Sequence, residues 1–245
     1  GLVCFSSPFD KTAVDFLEGF DVPAYKIASF EITDIPLIEY TASKGKPMII
    51  STGIASYDDI KLAIETCQKV GNDDITILKC TSSYPAPVEE ANMVMMQQYA
   101  RDFNVKVGLS DHTFGNTVPV VATALGAKII EKHFILDKSI GGPDASFSLD
   151  ETEFTTMVKA VREAEEAMGK IDYSLTEKQI KGRDFSRSLY VVKDIKKGEK
   201  ITEENVRSIR PGFGLHPKYL NKILGENAKK DFVKGDRLNF ENIDE

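Results

Sequence analysis

The stretches Val107-Gly108-Leu109-Ser110-Asp111-His112 and Ile129-Ile130-Glu131-Lys132-His133 are both apolar, strand-like runs that end in a histidine. The two histidines are 21 residues apart, about the length of one strand–helix unit. In a parallel β/α fold this spacing places both imidazoles at the same end of two neighbouring strands, where they can bind one divalent metal ion. The alternative is that both are ordinary surface or hydrogen-bonded histidines.

The same alternation of short apolar runs and longer amphipathic segments covers roughly the first 168 residues. Residues 11–18, 33–44, 57–70 and 115–125 have the pattern of helices. The apolar runs, which predict parallel strands, are residues 3–9, 24–29, 47–53, 76–84, 105–112 and 128–134. Polar residues follow at the end of each run, as they do on the active-site face of a parallel β/α barrel.

Six strand–helix units can be counted, and a six-stranded open sheet would have two long apolar edges, which natural proteins avoid. We therefore predict an α/β fold, a (β/α)₈ TIM barrel that lacks its first two βα units. The early apolar run after Gly1 leads us to expect further sequence upstream. A complete doubly wound sheet is the alternative, and it would bind ligand at a single crevice.

The carboxyl-terminal part of the chain has a different texture. A last barrel helix is predicted from Asp150, as N-cap, to Met168, with Gly169 as the stop signal. We assign residues 1–169 to the partial barrel and the polar residues 170–187 to a linker. Short strand-like runs around glycine turns make residues 188–245 a small β-rich domain.

The formal net charge of −7 argues against a nucleic-acid partner. The three cysteines have no metal-ligand spacing, which suits a reducing cytoplasm and no disulfide framework. No run approaches the roughly 20 apolar residues of a membrane helix, so we expect no membrane association.

Lys26 interrupts the apolar run Ala24-Tyr25-Lys26-Ile27-Ala28. Alternation along the strand points it into the interior of a barrel. An unpaired interior lysine is costly, so the sequence predicts an anionic ligand beside it.

Several motifs together resemble the sialic acid synthase family. They are Phe5-Ser6-Ser7-Pro8, Tyr25-Lys26-Ile27-Ala28-Ser29, Ser51-Thr52-Gly53, Lys79-Cys80-Thr81-Ser82-Ser83-Tyr84-Pro85, Gly108-Leu109-Ser110-Asp111-His112 and Glu131-Lys132-His133-Phe134. The tail Arg210-Pro211-Gly212-Phe213-Gly214-Leu215 resembles the family's antifreeze-like SAF (β-clip) domain. The segments 80–85 and 140–144, with Phe147-Ser148, are most similar to the pseudaminic acid synthase branch.

The resemblance implies an enzyme that condenses phosphoenolpyruvate with an open-chain amino sugar, here a 2,4-diacetamido-2,4,6-trideoxy hexose, to give a nonulosonic acid and phosphate. It also implies a domain-swapped homodimer. An N-acetylneuraminate or legionaminic acid synthase is the first alternative. The second is an inactive carbohydrate-binding or assembly module.

By the same resemblance, His112 and His133 are the metal ligands and catalytic groups, and Glu31 assists with the sugar hydroxyls or with proton transfer. The metal is Mn²⁺ or Mg²⁺, and imidazole ligands favour Mn²⁺. Phosphoenolpyruvate is expected to contact Ser7, Lys26, Ser29, Ser51, Ser82 and Ser110, and the sugar to contact Tyr84, Asp144 and Arg210.

Each of these polar residues has an ordinary structural alternative. Strand-end hydroxyls cap the following helices, Asp144 belongs to a Gly-Gly-Pro-Asp turn, and Arg210 is a solvated arginine. The family's general-base glutamate and a second phosphate-binding lysine correspond to positions upstream of Gly1. We therefore expect weak or no activity from these 245 residues alone.

Overall fold

The chain divides into two units in the computed structural model, which describes residues 2–244. The first unit ends at Lys170 and the second begins at Ile171. The first unit is built from helices and one parallel sheet, so the prediction of an α/β fold is confirmed.

Five parallel strands form the sheet of the first unit, and their order in space is their order in the chain. The strands are β1 (Tyr25–Ile27), β2 (Met48–Ser51), β3 (Ile75–Cys80), β4 (Lys106–Asp111) and β5 (Ile130–Lys132). A doubly wound sheet reverses its strand order at a switch point, and this sheet does not. The alternative of a complete doubly wound fold is therefore not supported.

Helices connect the strands and follow the last one. They are α1 (Lys11–Glu18), α2 (Ile35–Ala42), α3 (Tyr57–Lys69), α4 (Val94–Phe103), α5 (Thr117–Ala124) and α6 (Glu151–Met168). The predicted helices are confirmed, including α6, whose N-cap Asp150 accepts a hydrogen bond from the backbone N–H of Glu153 in a capping box. Helix α4 was not predicted.

The first of the six predicted strands is absent from the described part of the chain. Residues 2–8 have no assigned strand, and the backbone N–H of Lys26 reaches the carbonyl of Ser6 at 3.5 Å. A single long hydrogen bond does not make a ladder, so the prediction of a strand over residues 3–9 is wrong in this structure.

The two faces of the sheet differ sharply. One face packs against the helices and carries large apolar side chains such as Tyr25, Ile50 and Ile77, all buried in the main core. The opposite face has only a thin apolar layer, made by Ala24, Ile49 and Leu78 with Ile129 against them.

Polar residues follow two positions further along the same strands, toward their carboxyl ends. These residues are Lys26, Ser51, Cys80, Ser110 and Glu131. Because side chains alternate along a strand, each of them shares a face with the thin apolar layer rather than with the helices. The sequence pattern therefore produces a polar surface on top of a small apolar floor.

The second unit has its own apolar core, which includes Leu189, Val191, Ile201 and Phe232. Strands β6 (Ser188–Val191) and β7 (Val206–Ile209) pair antiparallel, and helix α8 (Leu220–Ile223) follows. The segment that we interpreted as a linker contains a short helix, α7 (Glu177–Gly182), which begins with a capping box at Thr176. Among the described residues, no helix is long and apolar enough to cross a membrane.

Candidate active site

A cavity of about 210 Å³ lies at the carboxyl ends of the parallel strands. It is lined by Ser7, Lys26, Ala28, Ser29, Ser51, Tyr84, Ser110, His112, Glu131 and His133. Eight of the residues predicted from sequence are therefore brought together by one cavity. The same folding rule explains all of them, since each follows or ends a strand or lies beside a strand end.

The imidazoles of His112 and His133 lie side by side, with ring centroids 5.2 Å apart. Nδ1 of His112 is 2.9 Å from the carbonyl of Thr81, and a carbonyl can only accept, so this nitrogen carries the proton. Nδ1 of His133 is 3.5 Å from a carboxylate oxygen of Asp144. In both rings Nδ1 has a protein partner, which leaves Nε2 for a thiol or a metal ion.

The local environment moves the pKa values of the two rings in opposite directions. Burial acts to lower the pKa of His112, but hydrogen bonds with the Cys80 thiol and the Thr81 carbonyl outweigh it and raise the pKa. Burial and the neighbouring His112 lower the pKa of His133. His133 is therefore held in the neutral form that binds metal ions.

Cys80 is a site residue that the sequence analysis missed. Burial acts to raise the pKa of its thiol, but hydrogen bonds with His112 and Ser29 hold that pKa below the usual range. Ser29 donates its hydroxyl to Sγ of Cys80 at 3.3 Å. The only sequence signal was its place within the predicted strand at residues 76–84, because an isolated cysteine carries no motif.

Lys26 is buried, with 7% of its surface exposed, and faces the cavity. Its ammonium donates to the carbonyl of Ile27 at 2.9 Å and lies 3.7 Å from a carboxylate oxygen of Glu131. Burial lowers the pKa of Lys26, and the charge of Glu131 opposes that effect. Glu131 therefore supplies an acidic partner within the chain, and the anionic ligand expected beside Lys26 stays a prediction.

Glu131 is the second residue that sequence reasoning missed. It accepts a hydrogen bond from the hydroxyl of Ser110 at 2.6 Å, and its side chain is 41% exposed and lines the cavity. Alternation with His133 along the strand end was the signal that could have found it, because residues two apart share a face.

The strand-end hydroxyls do not cap the helices that follow them. Helix α2 is capped by Asp34 and α3 by Ser56, so Ser29 and Ser51 are not used in that way. Ser29 instead accepts the backbone N–H of Gly53 at 3.1 Å. The hydroxyl of Ser51 is buried and has no hydrogen-bond partner within the described residues. A buried hydroxyl without a partner is costly, and a bound ligand would satisfy it.

The backbone at Gly53 passes close to the side chains of Ser29 and Ser82. A Cβ built on Gly53 would be 1.9 Å from the hydroxyl of Ser82 and 2.7 Å from that of Ser29. The missing side chain therefore preserves a polar recess between the two hydroxyls. Ser82 does not line the cavity itself, but its hydroxyl is 4.0 Å from Sγ of Cys80.

Aromatic rings pack around the histidine pair. The Tyr84 ring centroid is 4.3 Å from that of His112, and the Phe147 centroid is 5.0 Å from that of His133. Tyr84 is partly exposed, whereas Phe147 is buried. Tyr84 lines the cavity and is thus placed to contact a ligand. Phe147 does not line the cavity and packs against the imidazole of His133.

Three other predicted residues lie outside the cavity lining. Asp144 reaches the site through His133, as described above. Glu31 has a buried carboxylate oxygen with no hydrogen-bond partner in the described part of the chain, and its charge acts on Lys26. Arg210 is exposed and belongs to the second unit, so its role stays a prediction.

The residues present fit a divalent cation held by two imidazoles. Within residues 2–244, no cluster of three or more His, Cys, Asp and Glu side chains is arranged to hold a metal ion. Two imidazoles with occupied Nδ1 atoms, facing one polar cavity, match a site that takes its remaining ligands from water or substrate.

Comparison with known families matches residues 1–173 to the NeuB family and residues 186–243 to the SAF domain. The chain belongs to the NeuB family. The resemblance drawn from the sequence motifs is therefore confirmed, and the carboxyl-terminal β-rich region is a SAF domain.

The chain is similar in sequence to proteins named as synthases of pseudaminic acid and of N,N'-diacetyllegionaminic acid. A pseudaminic acid synthase of Campylobacter jejuni is 52% identical over 238 residues, 97% of this chain and 69% of that protein. One of Helicobacter pylori is 47% identical over 241 residues, 98% of this chain and 71% of that protein. An N,N'-diacetyllegionaminic acid synthase of Legionella pneumophila is 37% identical over 249 residues, 100% of this chain and 70% of that protein.

Solved structures agree with the fold. The crystal structure of the spore coat polysaccharide biosynthesis protein SpsE of Bacillus subtilis is 33% identical, with a TM-score of 0.66 over 100% of this chain and 74% of that chain. A related protein of Chromobacterium violaceum has a TM-score of 0.74 at 26% identity, over 98% of this chain and 73% of that chain.

Proposed function

We propose that this NeuB-family chain acts as a pseudaminic acid synthase. It would condense phosphoenolpyruvate with a 2,4-diacetamido-2,4,6-trideoxy hexose and release phosphate. The observation that carries the proposal is the cavity that joins Lys26, the serine hydroxyls and the histidine pair at one set of strand ends. Identities of 47–52% to pseudaminic acid synthases, against 37% to a legionaminic acid synthase, support the choice of sugar.

The five-stranded sheet would be part of a (β/α)₈ barrel that lacks its first two βα units within these residues, and residues 3–9 would supply the third of its eight strands. Its sequential strand order supports this, because consecutive strands of such a barrel are always neighbours. We keep residues 1–169 as the barrel part, 170–187 as the linker and 188–245 as the SAF domain.

Phosphoenolpyruvate carries up to three negative charges, so its site needs a cation and several donors. Lys26 supplies the cation. Its ammonium lies 3.7 Å from a carboxylate oxygen of Glu131, which is longer than a hydrogen bond, so a bound anion could approach the ammonium more closely than Glu131 does. The hydroxyls of Ser7, Ser29, Ser51 and Ser110 line the same cavity. Ser82 would act from the edge of the recess beside Gly53.

His112 and His133 would hold a divalent cation, which when bound polarises the aldehyde oxygen of the sugar as a Lewis acid. Imidazole ligands favour Mn²⁺, with Mg²⁺ as the alternative, because Mg²⁺ prefers oxygen ligands. The contacts from Thr81 and Asp144 to the two Nδ1 atoms orient the rings for this task.

The reaction forms one carbon–carbon bond and replaces the C2–O bond to phosphate with a C2–O bond from water. The enol carbon of phosphoenolpyruvate attacks the aldehyde carbon, and the aldehyde oxygen takes up a proton. Water adds at C2 and loses one proton. The resulting hydroxyl loses its second proton as phosphate leaves from C2, and the keto group forms. Glu131 lines the cavity, and its carboxylate accepts a hydrogen bond from the hydroxyl of Ser110. The carboxylate is therefore placed to receive a proton from the attacking water.

Sugar contacts would come from Tyr84, Asp144 and Glu31 around the cavity. Glu31 would bind the sugar hydroxyls or assist proton transfer. Arg210 of one protomer would reach the N-acyl group in the cavity of the other, in a domain-swapped homodimer. The dimer rests on the family resemblance, and light scattering after gel filtration tests it.

A cytoplasmic location, inferred from the three free cysteines, is part of the same proposal.

The test is phosphate release with three sugars side by side: the 2,4-diacetamido-2,4,6-trideoxy hexose, the legionaminic acid precursor and N-acetylmannosamine. The proposal predicts the highest rate with the first sugar, however low that rate is. A preference for N-acetylmannosamine would refute it. No binding of phosphoenolpyruvate at all would favour the alternative of a binding or assembly module.

A further inference from the structure

A buried ion pair joins the strands that carry the two histidines. Nζ of Lys132 lies 2.5 Å from a carboxylate oxygen of Asp111, and the two side chains are 1% and 2% exposed. Asp111 directly precedes His112, and Lys132 directly precedes His133. Neither Asp111 nor Lys132 lines the cavity.

Thr113 completes the arrangement. Its backbone N–H donates to Asp111 at 2.9 Å and its hydroxyl donates to the same carboxylate at 3.2 Å. Lys132 also donates to the carbonyl of Thr113. The carboxylate and the ammonium therefore keep several hydrogen bonds each, as buried charges require.

The Asp111–Lys132 pair lies at the end of the β4–β5 ladder, directly before the two histidines. Asp111 and Lys132 are the last registered partners of strands β4 and β5, and both strands end there. His112 and His133 are the first residues beyond the ladder, so no strand pairing fixes their separation. The ion pair is the last contact that links β4 to β5 before the two imidazoles. The ring centroids of those imidazoles lie 5.2 Å apart.

Stability alone does not explain such a pair. Well-packed apolar side chains of similar size often replace a buried ion pair without loss of stability. An ion pair with fixed hydrogen bonds does, however, specify one relative position of the two strand ends. Alternation places the pair on the opposite face from the imidazoles, where it cannot touch a substrate in the cavity.

We propose that Asp111 and Lys132 are positioning residues that hold His112 and His133 at the separation needed to bind one divalent cation. This inference rests on the proposed function, because it takes the histidine pair as the metal site. It adds residues that act through the ligands and do not touch the metal or the substrate.

The test is Mn²⁺ titration of the 245-residue chain, followed by water-proton relaxation, with circular dichroism and thermal melting as folding controls. The double variant Asp111→Asn/Lys132→Met removes both buried charges and keeps an acceptor for Thr113. We expect it to fold and to bind Mn²⁺ about tenfold or more weakly, the usual effect of losing support behind a ligand. Lys132→Met alone should also weaken binding.

The matched control is Asp74→Asn/Lys106→Met. That pair also ties neighbouring strands at 2.8 Å, but it is exposed and lies at the start of β4, far along the strand from His112. It should leave Mn²⁺ affinity unchanged.

A folded double variant or a folded Lys132→Met variant with wild-type Mn²⁺ affinity would overturn the inference. Failure of the double variant to fold would also contradict it, because the pair would then serve stability. If the wild-type chain itself bound no Mn²⁺, the metal assignment in the proposed function would fail instead.

Discussion

At the scale of single residues, the site follows from polar side chains that interrupt apolar strands. Lys26 and the two histidines were predictable in this way, and the structure places all three in one cavity. Glu131 and Cys80 were not identified, because a carboxylate or a thiol at a strand end has no distinctive spacing. Ser110 and Glu131 lie on the neighbouring strands β4 and β5, whereas Ser29 follows β1, which is two strands away from β3 and Cys80. Both contacts appear only once the order of the strands in the sheet is known.

Replacing Lys26 with methionine should separate binding from stability. The variant loses the cation of the anion site, so affinity for phosphoenolpyruvate should fall roughly 10- to 100-fold, the value of a charge-assisted hydrogen bond. The melting temperature should stay the same or rise, because a buried charge is removed. Calorimetric titration and a thermal melt measure both, with the exposed Lys159→Met as control. Unchanged affinity would remove Lys26 from the anion site.

Replacing Gly53 with alanine should fill the recess between Ser29 and Ser82. The new Cβ forces both hydroxyls to rotate, and affinity for phosphoenolpyruvate should fall about tenfold with little change in melting temperature. Gly182→Ala is the control, because a Cβ there meets nothing within 4 Å. Equal affinities in the two variants would show that the recess does not bind the ligand.

At the scale of elements, the strongest local signals predicted the helices well. Apolar periodicity indicated α1, α2, α3, α5 and α6, and the N-cap Asp150 marked the start of α6. Helix α4 was not predicted; like α5, it begins without a side-chain cap. A strand is predicted over residues 3–9 because their composition suits one, but a strand also needs a hydrogen-bonded partner strand, which the local sequence does not reveal.

Helix α1 is tied to the sheet by a hydrogen bond that should depend on pH. The hydroxyl of Tyr25 donates to Glu18 at 2.5 Å, and this bond, with Lys46, holds the pKa of the Glu18 carboxyl below its usual value. A lowered pKa in the folded state stabilises the protein above the unfolded pKa, and the effect is lost as the pH falls through the folded pKa.

Tyr25→Phe should therefore lower the free energy of unfolding by about 1–2 kcal/mol at pH 7 and by less near pH 3. Urea unfolding at the two pH values measures the difference. An equal loss at both values would mean that the ionised Glu18 contributes nothing.

At the scale of the whole molecule, the order of strands was predictable and the geometry of the site was not. Alternating runs indicated a parallel sheet with its chemistry at the carboxyl ends, and the sequential strand order agrees. The separation of His112 from His133 depends on the register of β4 and β5, which is set by long-range pairing. The Asp111–Lys132 pair was invisible for the same reason, because each residue alone resembles an ordinary charged side chain.

The claim that His112 and His133 form one metal site is tested most directly by Mn²⁺ titration of three alanine variants. His216, the third histidine, is the internal control; its Nδ1 accepts the backbone N–H of Lys218 in the second unit. We predict a single Mn²⁺ site that is lost in His112→Ala and in His133→Ala and is unchanged in His216→Ala. Wild-type Mn²⁺ affinity in either of the first two variants would contradict the account.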